Sequence, residues 1–110
     1  MTLYLTYTGD PPTAVESPEH EVPWTYALGQ NYPNPFNPST TISYTLAKAT
    51  HATLTISDLL GRRIATLVDE LKPAGFHVML WNASGLPSGV YFLRMSADRF
   101  VETRKLILAK

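Results

Sequence analysis

Three prolines at positions 33, 35 and 38 constrain this chain more than any other feature of its sequence. Each proline fixes its own φ, lacks a backbone donor and keeps the preceding residue out of the helical region. Residues 32–38 can therefore form neither a helix nor a central strand. We expect a stiff extended corner with turns at Asn34 and Asn37. Phe36 and Tyr32 are the apolar side chains that we expect to pack this corner against a core.

Short alternating segments follow the corner. In Thr40–Leu46, hydroxyl side chains alternate with apolar ones, which is typical of a strand with one buried face. The same pattern begins earlier with Trp24, Tyr26 and Leu28. Further strands are predicted at Ala52–Ser57, Arg63–Val68, Phe76–Trp81, Val90–Ser96 and Phe100–Leu108.

No segment has a helical period, so the sequence predicts an all-β antiparallel sandwich of about seven strands. Phe76–Trp81 and Val90–Ser96 are apolar on both faces, which predicts central positions in their sheets. Asp69–Ala74 contains Pro73 and is predicted to be a loop. Gly61 follows Asp58 in a hairpin turn, where a positive φ is needed.

The charge distribution marks a boundary in the chain. Residues 1–40 carry four acidic residues and no Lys or Arg, whereas residues 41–110 carry nine basic and five acidic residues. Gly9–Pro23 is acidic and proline-rich and reads as a linker, and residues 24–110 are predicted to form the domain. Met1–Thr8 alternates like a strand of an upstream domain, an added edge strand or a remnant of cloning. The basic excess is too weak to indicate a nucleic-acid interface.

Several kinds of chemistry are disfavoured. The chain has no cysteine, which excludes disulfides and thiolate metal sites. His20, His51 and His77 are far apart in sequence and form no metal-ligand pair, and no acid–base or nucleophile set appears. We therefore predict no enzyme activity, no metal and no cofactor. Asp58, Asp69 and Asp98 are interpreted as turn residues rather than ligands.

The ends of the chain bear on its location. No signal peptide and no apolar run long enough for a membrane-spanning helix is visible. If the protein is exported, we therefore expect this chain to be part of a longer one.

The motifs taken together resemble a known family. Asn31–Leu46 (NYPNPFNPSTTISYTL) is similar to the opening signature of the type IX secretion C-terminal sorting domains, or Por secretion tails. These domains are related to the immunoglobulin-like domain of the flagellar hook-capping protein. The resemblance covers residues 28–110. Only residues 82–87 separate the Trp block from the Ser-Gly block, and this short separation favours the sorting domains over the hook-capping relatives. The other matching blocks, in the family's order, are Ile56–Arg62, Ala74–His77 with Trp81 and Asn82, Ser88–Tyr91 and Lys105–Leu108.

The resemblance implies a non-catalytic immunoglobulin-like domain that directs an upstream cargo, through the periplasm, to the type IX outer-membrane translocon. It also implies removal by a sortase-like peptidase within Gly9–Pro23, with the cargo reaching the cell surface or the medium. The structural motif would consist of Asn31, Tyr32, Pro33, Asn34, Pro35, Phe36, Asn37, Pro38, Gly61, Gly75 and Trp81. The recognition residues would be Ser88, Gly89, Val90, Tyr91, Lys105, Leu106, Ile107, Leu108 and Lys110.

Two alternatives stay open at this point. The last strand is either an edge strand guarded by charge or a surface that pairs with the secretion machinery through its free backbone groups. The domain as a whole could also be an immunoglobulin-like accessory module that is structural or that binds carbohydrate or a protein partner. In that case some of its aromatic side chains would form a stacking face, although Trp81 and Tyr91 fit a core better. These aromatic residues are Trp24, Trp81, Tyr91 and Phe92.

Overall fold

The computed structural model describes residues 24–110, so the predictions for Met1–Thr8 and Gly9–Pro23 lie outside the described residues. The described part forms two antiparallel sheets, with strand orders β1-β2-β5 and β4-β3-β6-β7. This arrangement confirms the predicted all-β fold and is consistent with an immunoglobulin-like sandwich. The strands are β1 (Ala27–Leu28), β2 (Ser39–Leu46), β3 (Thr50–Ser57), β4 (Arg63–Lys72), β5 (Gly75–Asn82), β6 (Gly89–Ala97) and β7 (Phe100–Leu108).

The core is built by alternate residues of the strands. In β2, Ile42, Tyr44 and Leu46 are buried, while the intervening hydroxyl residues are exposed or half-buried. Because side chains alternate across a strand, such a sequence has one face for each environment. Each buried Leu or Ile contributes about 1.5–3 kcal/mol relative to leaving it exposed. The buried apolar residues are Leu28, Phe36, Ile42, Tyr44, Leu46, Ala52, Leu54, Ile56, Trp81, Ala83, Tyr91, Leu93, Met95, Ala97, Leu106 and Leu108.

Of the two strands predicted to be central, one is central and one is not. β6 lies between β3 and β7, as expected. The prediction for Phe76–Trp81 was wrong, because within residues 24–110 β5 pairs only with β2. The residues of β5 that face the other sheet pack against the core. No element within residues 24–110 covers the outer face of β5. Phe76, Val78 and Leu80 are therefore exposed.

The predicted end of β4 at Val68 was also too early in the chain. The strand continues through the expected loop to Lys72 and ends just before Pro73. Proline cannot donate to a ladder, so it ends the pairing there. Asp69 consequently lies within β4 rather than in a turn, and its carboxylate contacts Nε2 of His51 on β3.

Candidate functional site

The proline-rich corner folds back onto the start of β2. The Asn31 side chain is buried and donates from Nδ2 to Thr40 Oγ1 at 2.9 Å and to the Pro33 carbonyl at 3.2 Å. Thr40 Oγ1 in turn donates to the same carbonyl at 2.9 Å. Tyr32 and Thr41 exchange two backbone hydrogen bonds. The prolines interrupt regular strand pairing in the corner, and these bonds supply partners for polar groups that a strand ladder would otherwise pair.

The corner then lies along the outer edge of β7. The Phe36 N–H donates to the Ile107 carbonyl at 2.9 Å, and the Ala109 N–H donates to the Phe36 carbonyl at 3.0 Å. The Asn34 side chain accepts from the Ile107 N–H at 2.9 Å and donates to the Lys105 carbonyl at 3.3 Å. The backbone of β7 is thus paired on both sides near its end. It offers no free edge there for a partner strand, which corrects the edge-pairing hypothesis for this part of β7.

The two aromatic residues of the corner differ in burial. Phe36 is 2% exposed, and its ring lies 5.8 Å from that of Trp81 on β5, so it packs between the two sheets as predicted. Tyr32 is 79% exposed, so the prediction that it packs against the core was wrong. Tyr32 is paired with Thr41, which is itself exposed. Directly opposed residues share a sheet face, so the tyrosine lies on the outer side.

The start of β6 meets the end of β7 beside this corner. Gly89 lies opposite Leu108, and Val90 lies opposite Ile107. The Lys110 N–H donates to Ser88 Oγ at 3.0 Å, and its Nζ donates to the Ser84 carbonyl at 2.8 Å. The predicted recognition residues, which come from two separate blocks of the sequence, are therefore brought together.

These residues fall into two groups by burial. Tyr91, Leu106 and Leu108 are 5%, 0% and 1% exposed. They belong to the core and are out of reach of a partner that reads the folded domain. The exposed or half-buried members that present a side chain are Ser88, Val90, Lys105, Ile107 and Lys110, which we call the terminal surface.

Sequence reasoning missed two contributors to this arrangement. Thr40 is buried and bridges Asn31 to Pro33. The sequence could have indicated that Thr40 is buried, because it lies two residues before Ile42 and therefore on the same inward face of β2. Gln30 donates from Nε2 to the Lys105 carbonyl at 3.0 Å. No sequence signal indicates that contact, because the two residues are 75 positions apart.

The polar side chains elsewhere have structural partners. Asp58 accepts from the backbone N–H groups of Arg62 and Leu60 and pairs with the Arg62 side chain. These contacts, led by the Arg62 N–H, hold the pKa of the Asp58 carboxyl below its usual value. Nε2 of His77 lies 2.8 Å from the Pro73 carbonyl, and its ring stacks on Tyr44. Burial raises the pKa of the Tyr44 hydroxyl.

Two of the remaining predictions concern turns and aromatic residues. Asp98 lies in the β6–β7 turn with a φ of 56°, as expected of a turn residue, and forms an ion pair with Lys48. Trp81 and Tyr91 are buried, so they fill the core rather than form a carbohydrate-stacking face. Trp24 is half exposed and lies against Gly75 at the start of β5.

The described residues contain no group of three or more His, Asp or Glu side chains arranged to hold a metal ion. His20 lies outside that part of the chain. Within residues 24–110 there is no helix with the length and apolar character needed to cross a membrane.

Comparison with known proteins identifies the family. The family model described as a secretion system C-terminal sorting domain matches residues 30–109, which include the corner, both strands of the β6–β7 hairpin and every residue of the terminal surface except Lys110. No curated protein matches the chain. Because the match spans well over half of its length, the chain belongs to the type IX secretion C-terminal sorting domain family.

Proposed function

We propose that the terminal surface is the part of the folded domain that the secretion machinery reads. Membership of the family makes this domain a C-terminal sorting signal for type IX secretion, and it implies an upstream cargo that is secreted or carried to the outer-membrane surface. Beyond that role, we propose that the side chains of the terminal surface are the ones that contact the translocon. It also holds that the domain acts by binding alone, with no chemistry of its own.

The observation that carries the proposal is the docking of Phe36 beside Leu108. This contact joins the first block of the family signature to the last one. It closes the β7 edge, so a partner must recognise side chains rather than add a strand there. The outward side chains at this position are those of Lys105, Ile107 and Val90, which lie on one face of the β6–β7 pair.

The remaining steps follow from this role. The translocon binds the domain after the cargo has reached the periplasm, and a sortase-like peptidase removes the domain by cutting within Gly9–Pro23. Four acidic residues and several prolines make that segment a poor candidate for burial in a core. These partners and this order of events are part of the proposal.

An export assay tests the terminal surface with a matched pair of charge reversals. Residues 9–110 are fused to a periplasm-directed fluorescent reporter in a host that has type IX machinery, and the medium and cell surface are assayed. Lys105→Glu changes the terminal surface, whereas Arg99→Glu makes the same charge change in the exposed turn at the other end of the β6–β7 hairpin. We expect Lys105→Glu to leave the reporter in the periplasm and Arg99→Glu to be exported like the parent.

A second variant addresses the apolar part of the surface. Ile107→Thr keeps a β-branched side chain in the strand but removes apolar area next to Val90. Circular dichroism and urea unfolding of each purified variant must show a folded domain. Equal export of Lys105→Glu, Ile107→Thr and Arg99→Glu would contradict the assignment of the terminal surface. Failure of the folded parent to export the reporter would contradict sorting by this chain.

A further inference from the structure

The outer face of the β4-β3-β6-β7 sheet carries a pocket that lies apart from the terminal surface. It is an open depression of about 260 Å³. Its lining contains three hydroxyl side chains and two guanidinium groups and no carboxylate. The lining residues are Thr53, Thr55, Arg63, Arg94 and Ser96.

Strand register explains why the depression forms here. Thr53 lies opposite Ser96, and Thr55 lies opposite Arg94, so short side chains and a long one alternate along the β3–β6 pair. Arg63 approaches from β4, where it pairs with Ser57 after two irregularities in the β3–β4 register. The short side chains of β3 and β6 line the depression together with Arg63 and Arg94, which come from the two strands that flank β3.

The two arginines are not neutralised by other described residues. Within residues 24–110 the arginine ion pairs are formed by Arg62 and Arg104, and neither Arg63 nor Arg94 has a carboxylate partner. On this face Asp69 of β4 lies opposite Thr53, and its carboxylate contacts the ring of His51. Each guanidinium therefore has its donors available for a bound anion. Guanidinium groups bind oxyanions through paired hydrogen bonds, which makes them suited to phosphate and carboxylate.

We propose that this pocket binds a phosphate group, either free or carried on a sugar or lipid headgroup. A phosphate monoester presents three terminal oxygens and a charge between −1 and −2 near neutral pH. Two guanidiniums match that charge, and the hydroxyls of Thr53, Thr55 and Ser96 can donate to the remaining oxygens. A carboxylate has fewer oxygens and one charge, so it would leave part of this donor set unused.

The pocket has room beyond the phosphate itself, and all of its lining residues are polar or charged. This combination favours a hydrated carrier such as a sugar over an acyl chain. The inference goes beyond the sorting function and shares no residue with the terminal surface. Its failure would therefore leave the export proposal standing, and the reverse is also true.

The test is an NMR titration of the full 110-residue chain at low ionic strength. The probes are inorganic phosphate, glucose 1-phosphate, vesicles that contain phosphatidic acid, whose headgroup is a phosphate monoester, and acetate as the carboxylate control. We expect saturable shifts of the amides of Thr53, Thr55, Arg94 and Ser96 with at least one phosphate probe, and weaker binding of acetate. Added salt should weaken binding, because the site is exposed and its charges are screened.

Variants identify the groups responsible. Arg63→Gln and Arg94→Gln should each weaken phosphate binding about tenfold, since each removes a charge-assisted contact. Arg99→Gln removes an equal charge outside the pocket and should leave binding unchanged. Preference for glucose 1-phosphate or for vesicles over inorganic phosphate identifies the carrier and supports the site.

Three results would overturn the proposal. The first is the absence of saturable shifts with every phosphate probe while the spectrum shows a folded protein. The second is binding that survives both Arg63→Gln and Arg94→Gln. The third is acetate binding as tight as phosphate binding, which would leave only a general attraction of anions.

Discussion

Replacement of Phe36 by alanine is the strongest test of how the corner is held to the domain. The side chain is 2% exposed and lies against Trp81, while the backbone of the same residue bonds to Ile107 and Ala109. Truncation of a buried phenylalanine costs about 3–5 kcal/mol. A domain of this kind has a total stability of about 5–15 kcal/mol, so the loss is a large fraction. We therefore expect Phe36→Ala to lower Tm by about 4–8 °C for each kcal/mol lost.

The control is the exposed aromatic residue of the same corner. Tyr32 is 79% exposed, so Tyr32→Ala should change the free energy of unfolding by less than about 0.5 kcal/mol. Urea unfolding measures both variants, and amide hydrogen exchange at Ile107 and Ala109 reports whether the β7 edge has been uncovered. If Phe36→Ala and Tyr32→Ala are equally stable, or if exchange at Ile107 and Ala109 is unchanged in Phe36→Ala, the corner is not anchored as described here.

Two further predictions concern other parts of the domain. The folded-state pKa of Asp58 lies below its usual 3.8, so its stabilising contribution is present above that value and is lost as pH falls through the lower folded pKa. Asp58→Asn should therefore flatten the fall in stability between about pH 4 and pH 2 in urea titrations, and an unchanged pH profile would refute the assignment. In β5, which has no charged residue, Leu80 is 68% exposed. Leu80→Lys should reduce association in concentrated solution, measured by sedimentation, because a lysine guards an edge strand; a loss of stability as large as that of a core truncation would show that Leu80 is packed.

The strands with one buried face could be read from the sequence. β2 and β3 alternate between polar and apolar residues, and the predicted Phe100–Leu108 coincides with β7. A pattern of period two is a local property, so it survives without knowledge of the neighbours. β6 is apolar enough to be placed centrally, and it is central.

The position of β5 in its sheet could not be predicted from its sequence. Its sequence is apolar on both faces, like that of β6, yet Phe76, Val78 and Leu80 are exposed in the described part of the chain. An apolar side chain looks the same in sequence whether or not another element covers it. The same limit applies to Tyr32, whose face is set by its pairing with Thr41.

By itself the sequence determined the all-β class, the positions of most strands and the motif residues that identify the family, because composition, alternation and proline positions are local. Tertiary structure decided which motif residues are exposed. Asn34 and Ile107 are 73 positions apart, and only folding brings them within hydrogen-bond distance. That contact covers the β7 edge, while the packing of the sheets buries Leu106 and Leu108. The terminal surface therefore depends on pairings between distant segments, which no local pattern encodes.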